Sequence, residues 1–190
     1  MEVTKKSIAT ISLTKNNAAA QLFWISTFAV LTALSARVEI QHYPVPFTLQ
    51  TFFVLLSGAF LGTKNGFFSQ ATYIGVGALG LPVFAGGAFG LVKLFGPTGG
   101  YLFSFPIAAA VVGYLVQIRR GYFWTFFSFF VGLVIIFSCG SIYLNFVTFH
   151  EWYKSFVSGF LIFSWWDILK VTSAAAIYTE ISKRYRKLPA

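Results

Sequence analysis

Long apolar runs, following one another with only short breaks between them, limit what this 190-residue chain can fold into more than any motif does. The first extends from Ala18 to Val38 and meets its single charge, Arg37, next to its end. Two shorter runs, about residues 48–62 and 66–80, are parted by the turn around Gly62, Thr63, Lys64 and Asn65 and read as a helical hairpin. Further runs cover about residues 99–117, 122–147 and 166–183, the last carrying Asp167 and Lys170. A helix crosses the hydrocarbon core of a bilayer with ~20 predominantly apolar residues. Six such stretches predict an all-α membrane protein of six transmembrane helices, with residues 1–190 forming a single integral membrane domain. The first run exceeds the ~7–15 residues of a signal-peptide core and precedes more spans, so it reads as a retained helix.

Composition supports that reading. Charged residues make up 10% of the chain and hydrophobic residues 57%, whereas a soluble domain carries about 25% charged residues. So few charges cannot cover a water-facing surface, but a helix in lipid satisfies its backbone internally and needs no polar face. The net charge of +9 reads as topology rather than as a nucleic-acid surface. In a six-span arrangement the N-terminus, the Lys64 turn, the Arg119–Arg120 turn and the C-terminal tail share one side and hold most of the Lys and Arg. The positive-inside rule then makes both termini cytoplasmic, in a multi-pass protein of the cell membrane.

The opposite side receives residues 39–47, 79–100 and 148–166, rich in Gly, Pro and aromatic residues. Pro44 and Pro46 favour an extended connection. The glycine and proline density of residues 79–100 excludes regular helix there. Irregular backbone beside a membrane is stable where it is buried by protein or lines a cavity, so structured outer loops around an outward-facing pocket are expected.

Within that frame, Asp167 and Lys170 stand one helical turn apart at the outer start of the sixth span. They could be a structural ion pair with the carboxylate at a helix start. They could equally serve a ligand, since ionisable groups within a membrane domain are expensive and usually functional. The glycine-rich stretch places Gly86 and Gly87 where backbone can approach a ligand closely, with Phe84, Phe89 and Tyr101 as apolar walls and Lys93 nearby. Ala29 and Ala33 form a small-residue stripe on the first span, for packing within the chain or for docking another subunit. Cys139 reads as a small packing residue. No phosphate-cradling loop, metal-ligand spacing or catalytic triad context is present, so neither ATPase nor metal nor covalent chemistry is expected.

Four segments together form a recognisable pattern: Val45-Pro-Phe-Thr-Leu-Gln-Thr51, Gly80-Leu-Pro-Val-Phe-Ala-Gly-Gly87, Gly96-Pro-Thr-Gly-Gly-Tyr-Leu102 and Asp167-Ile-Leu-Lys170. The pattern resembles the BioY family, the biotin-binding S components of energy-coupling factor transporters, over about residues 29–170. The resemblance implies a six-helix subunit that captures biotin on the outer face. It also implies partners: a transmembrane coupling subunit, contacted at Ala29 and Ala33, and two ATPase subunits. Asp167 and Lys170 match the acidic and basic pair of the family, and no cofactor is implied. Departures fall at Ile162, Trp165-Trp166 and Ser104, where the family usually has Pro, Pro-Gly and Gly, which alters the pocket rim. Two rivals remain on the sequence alone. A self-sufficient secondary carrier is disfavoured by the absence of a clear repeat between the halves, and a membrane enzyme by the lack of a convergent catalytic set.

Overall fold

A computed structural model describes residues 18–119, 121–161 and 164–184. Lys5, Lys6, Lys15, Arg120, Arg186 and Lys187, which contribute to the charge asymmetry, and Ile162 lie outside the described residues.

The first run forms α1, Ala18–Ser35. It leads into a two-residue strand, β1 (Glu39–Ile40), antiparallel to β2 (Phe47–Thr48), with Glu39 opposite Thr48 and Ile40 opposite Phe47. This ribbon departs from the all-helical expectation. Pro44 and Pro46 exclude helix between the two strands, and the backbone groups on either side find one another instead.

Next comes α2, Gln50–Ala78, a continuous helical stretch interrupted by non-helical Gly62 at φ 76° and ψ 179°. That φ is open to glycine at little cost, and the chain reverses there. Gln50 Nε2 donates to the Tyr73 hydroxyl at 2.6 Å and Gln70 Nε2 to Ser57 Oγ at 2.9 Å, so the two arms run back along each other. This is the hairpin expected from the sequence.

Residues 79–98 hold a single 3₁₀ turn at Ala85–Gly87 and a short helix α3, Gly90–Leu94. The expectation that no regular helix survives there needs correction. Leu91 to Leu94 contain neither Gly nor Pro, and one α-helical turn fits between Gly90 and Gly96. Then follow α4 (Gly99–Ile118) and α5 (Tyr122–Leu144), the latter continued by a π turn over Asn145–Phe149. Last come α6 (Trp152–Gly159) and α7 (Ser164–Arg184).

The core lies where α2, α4 and α5 meet, around Val54, Leu55, Ala108, Ala109, Val112 and Phe129. Glycine makes that crossing possible: a Cβ on Gly58 would stand 2.2 Å from the Ala109 carbonyl oxygen. Close backbone approach through small residues is the usual way helices associate in lipid, where apolar side chains gain nothing by leaving the solvent. α7 seals one flank with Tyr178 edge-on to Phe60, ring centres 5.1 Å apart. α1 seals another, through a buried polar contact in which Gln70 Nε2 donates to Thr32 Oγ1 at 3.2 Å.

Large apolar side chains also cover the outside, among them Leu22, Phe23, Val30 and Leu34 on α1, Tyr114 and Ile118 on α4 and Phe123 on α5. Among the described residues, three helical stretches, Ala18–Ser35, Gly99–Ile118 and Tyr122–Phe149, are long and apolar enough to cross a membrane. The arms of α2 are each shorter than a full span, and α7 carries Asp167, Lys170, Glu180, Lys183 and Arg184, which lower its hydropathy.

Candidate ligand-binding site

The N-terminal ends of α2, α4 and α7 and the loop before α3 enclose a cavity of about 540 Å³, counting its open mouth. Phe84, Phe105, Ile136 and Phe137 make apolar walls, while Thr51, Lys93, Thr98, Asp167 and Lys170 bring polar groups.

Asp167 anchors the polar side. It is 1% exposed, and its Oδ1 accepts from Thr51 Oγ1 at 2.7 Å and pairs with Lys170 Nζ at 2.6 Å. The same ammonium donates to the Thr48 carbonyl at 2.8 Å and to Thr51 Oγ1 at 2.9 Å. Every hydrogen of Lys170 is thereby directed at a protein acceptor. Thr51 both donates to the carboxylate and accepts from the ammonium, which ties the first turn of α2 to the first turns of α7. A buried charge pair survives desolvation when further hydrogen bonds complete it, as here.

Phe84 closes the opposite side. It is 1% exposed, stacks edge-on against Tyr73 with ring centres 5.7 Å apart and lies over Gly77, where a Cβ would meet its ring at 2.2 Å. The Tyr73 hydroxyl, which accepts from Gln50, donates to the Val83 carbonyl at 3.3 Å and so fastens this loop to α2. Tyr101 reaches across the cavity wall and donates to the Gly159 carbonyl at 2.7 Å, which fixes the end of α6.

Of the residues singled out in the sequence, Asp167, Lys170, Phe84, Lys93 and Tyr101 converge on the cavity. Gly86, Gly87 and Phe89 are not among its lining residues, although their neighbours Phe84 and Ala85 are. Gly86 and Gly87 both have φ of 71°, and a Cβ on Gly87 would stand 2.7 Å from Arg37 Nη1. Arg37, just after α1, donates to the Pro82 carbonyl and lies across this turn. Phe89 points outward and is 58% exposed. Ala29 is buried against the core and Ala33 half-buried beside it.

Sequence reasoning missed Thr48, Gln50, Thr51, Thr98, Ile136 and Phe137 as lining residues. Thr51 and Thr98 lie inside motif segments, which was a usable signal. Ile136 and Phe137 sit in a uniformly apolar run where no pattern separates a pocket wall from any other face.

A sequence model of the BioY family matches residues 5–187. The chain belongs to the BioY family. A biotin transporter of this family from Thermotoga maritima is 43% identical over 163 residues, covering 86% of this chain and 96% of that relative. A probable biotin transporter of the family from Pyrococcus horikoshii is 41% identical over 154 residues, covering 80% and 90% respectively. Among solved structures, the S-component for biotin from an ECF-type ABC transporter superposes with a TM-score of 0.84 at 22% identity, covering 93% of this chain and 99% of the other. At that identity the superposition shows that the two chains share a fold.

Proposed function

We propose that this chain is the biotin-capturing S component of an energy-coupling factor transporter. The observation that carries the proposal is the buried Asp167 carboxylate, held by Thr51 and Lys170 in a cavity that also has aromatic walls. A ureido ring presents N–H donors and needs such an acceptor, while its fused rings suit the walls of Phe84, Phe105 and Phe137. Lys93 receives the valerate carboxylate. It lines the cavity without an ion-pair partner among the described residues, whereas the hydrogens of Lys170 are committed to Asp167, Thr48 and Thr51.

Six spans accommodate the fold: α1, the two arms of α2, α4, α5 and α7. The basic Lys64 turn and the last turn of α7, with Lys183 and Arg184, then face the cytoplasm of the cell membrane, and the cavity faces outward, as the distribution of Lys and Arg supports. The subunit carries no phosphate-binding loop, so uptake draws on two ATPases through a transmembrane coupling subunit. That subunit docks along α1 at Ala29 and Ala33, of which Ala29 is buried and Ala33 half-buried.

The test is uptake of labelled biotin by cells lacking their own biotin transporter. Co-expression with the coupling subunit and ATPases is expected to give ATP-dependent accumulation, reduced by Lys93→Gln. Concentrative uptake by this chain alone would identify a self-sufficient carrier instead.

A further inference from the structure

Besides Lys93, the cavity holds a polar group that neither the fold nor the Asp167 network uses. Thr98 lines the cavity and is only 8% exposed, yet its Oγ1 is buried without a hydrogen-bond partner. Buried hydroxyls are nearly always paired, because leaving one unpaired forfeits its hydration with nothing in return. As the residue before α4, Thr98 could have capped that helix with its side chain, and it does not. The hydroxyl is therefore left over from folding.

Its position says what it is left over for. Thr98 is joined to Lys93 through two consecutive backbone turns, in which Gly96 N–H donates to the Lys93 carbonyl at 3.2 Å and Gly99 N–H to the Gly96 carbonyl at 2.9 Å. The cation and the hydroxyl are thus carried on one short unit and line one cavity. A hydroxyl beside an ammonium is a donor pair for an anion, and a hydrogen bond to a charged acceptor is about twice as strong as one to a neutral acceptor.

We infer that Thr98 is a specificity-determining residue of the pocket: its hydroxyl donates to the ligand's ionised carboxylate beside Lys93, and the pair together selects the free acid over its neutral esters and amides. This inference rests on the biotin-capture reading. Thr98 adds to that reading a donor whose loss weakens ligands that carry the anion more than neutral ones.

The experiment measures equilibrium binding of biotin and of biotin methyl ester to the purified full chain and to Thr98→Val and Thr98→Ser, with the melting temperature of each recorded without ligand. The parent is expected to prefer the acid. Thr98→Val is expected to bind biotin roughly tenfold more weakly, equivalent to about 1.4 kcal/mol, with ester binding weakened distinctly less. Its ligand-free melting temperature should equal or exceed the parent's, since only an unsatisfied group is removed, and Thr98→Ser should restore acid binding. Parent-like affinity of Thr98→Val for biotin would overturn the inference and leave the capture reading intact. Equal weakening of acid and ester would also overturn it, by assigning Thr98 a packing role. If Thr98→Val fails to fold, a parent that binds ester as tightly as acid overturns it and parent-like binding by Thr98→Ser with strong acid preference supports it. No binding of biotin by the parent would overturn the capture reading itself, and the role of Thr98 with it.

Discussion

Replacing Lys170 by Met is expected to cost the ligand-free protein more than any surface change, because it strands a charge. Asp167 is 1% exposed, and its Oδ1 is held by Thr51 at 2.7 Å and Lys170 at 2.6 Å. Removing one partner of a buried pair costs about 3–5 kcal/mol, most of it the penalty of the carboxylate left behind. For a chain of this length each kcal/mol moves the melting temperature by about 2–4 °C, so Lys170→Met should melt roughly 10 °C lower. The double variant Asp167→Leu/Lys170→Met removes both charges at once. It should recover much of that loss while binding no biotin, since apolar replacement of a whole buried pair is often neutral or stabilising. Thermal unfolding of the purified ligand-free variants measures the cycle. A Lys170→Met variant as stable as the parent would refute the reasoning, by showing that Asp167 does not depend on the ammonium.

Two further outcomes follow from packing. Phe84→Ala removes a buried ring that also walls the cavity, and should lower stability by about 3–5 kcal/mol and raise the biotin dissociation rate in stopped-flow displacement. Gly58→Leu places a side chain where even a Cβ would be 2.2 Å from the Ala109 carbonyl. It should prevent α2 and α4 from meeting, seen as loss of monodisperse protein on size-exclusion chromatography, whereas Gly75→Ala, with open space around it, should purify normally.

How much of this was legible in the sequence depended on whether the signal was local. The apolar runs and the reversal near Gly62 are properties of neighbouring residues, and the hairpin formed as expected. Asp167 and Lys170 are a single turn apart, so helical spacing put them on one face while leaving open whether they pair with each other or serve a ligand. Thr51, which completes that pair, lies 116 positions from Asp167 in the chain, and no spacing rule reaches so far. Pro44 and Pro46 gave the extended course of residues 39–47, but the β1–β2 pairing went unread because they do not say which residues pair. In the glycine-rich stretch, composition concealed the four residues that form most of α3. Gly86 and Gly87 were sought in the ligand site for their backbone freedom. In the fold that freedom seats Arg37 against the turn, a use of glycine that looks the same in sequence.

The central claim is that the cavity built on Asp167 receives biotin. Titration of the detergent-purified chain with labelled biotin, beside a folded Asp167→Asn variant, tests it most directly. The account predicts saturable binding of one biotin per chain, lost or greatly weakened in Asp167→Asn. A monodisperse parent that binds no biotin, or an Asp167→Asn variant that binds as the parent does, would contradict it.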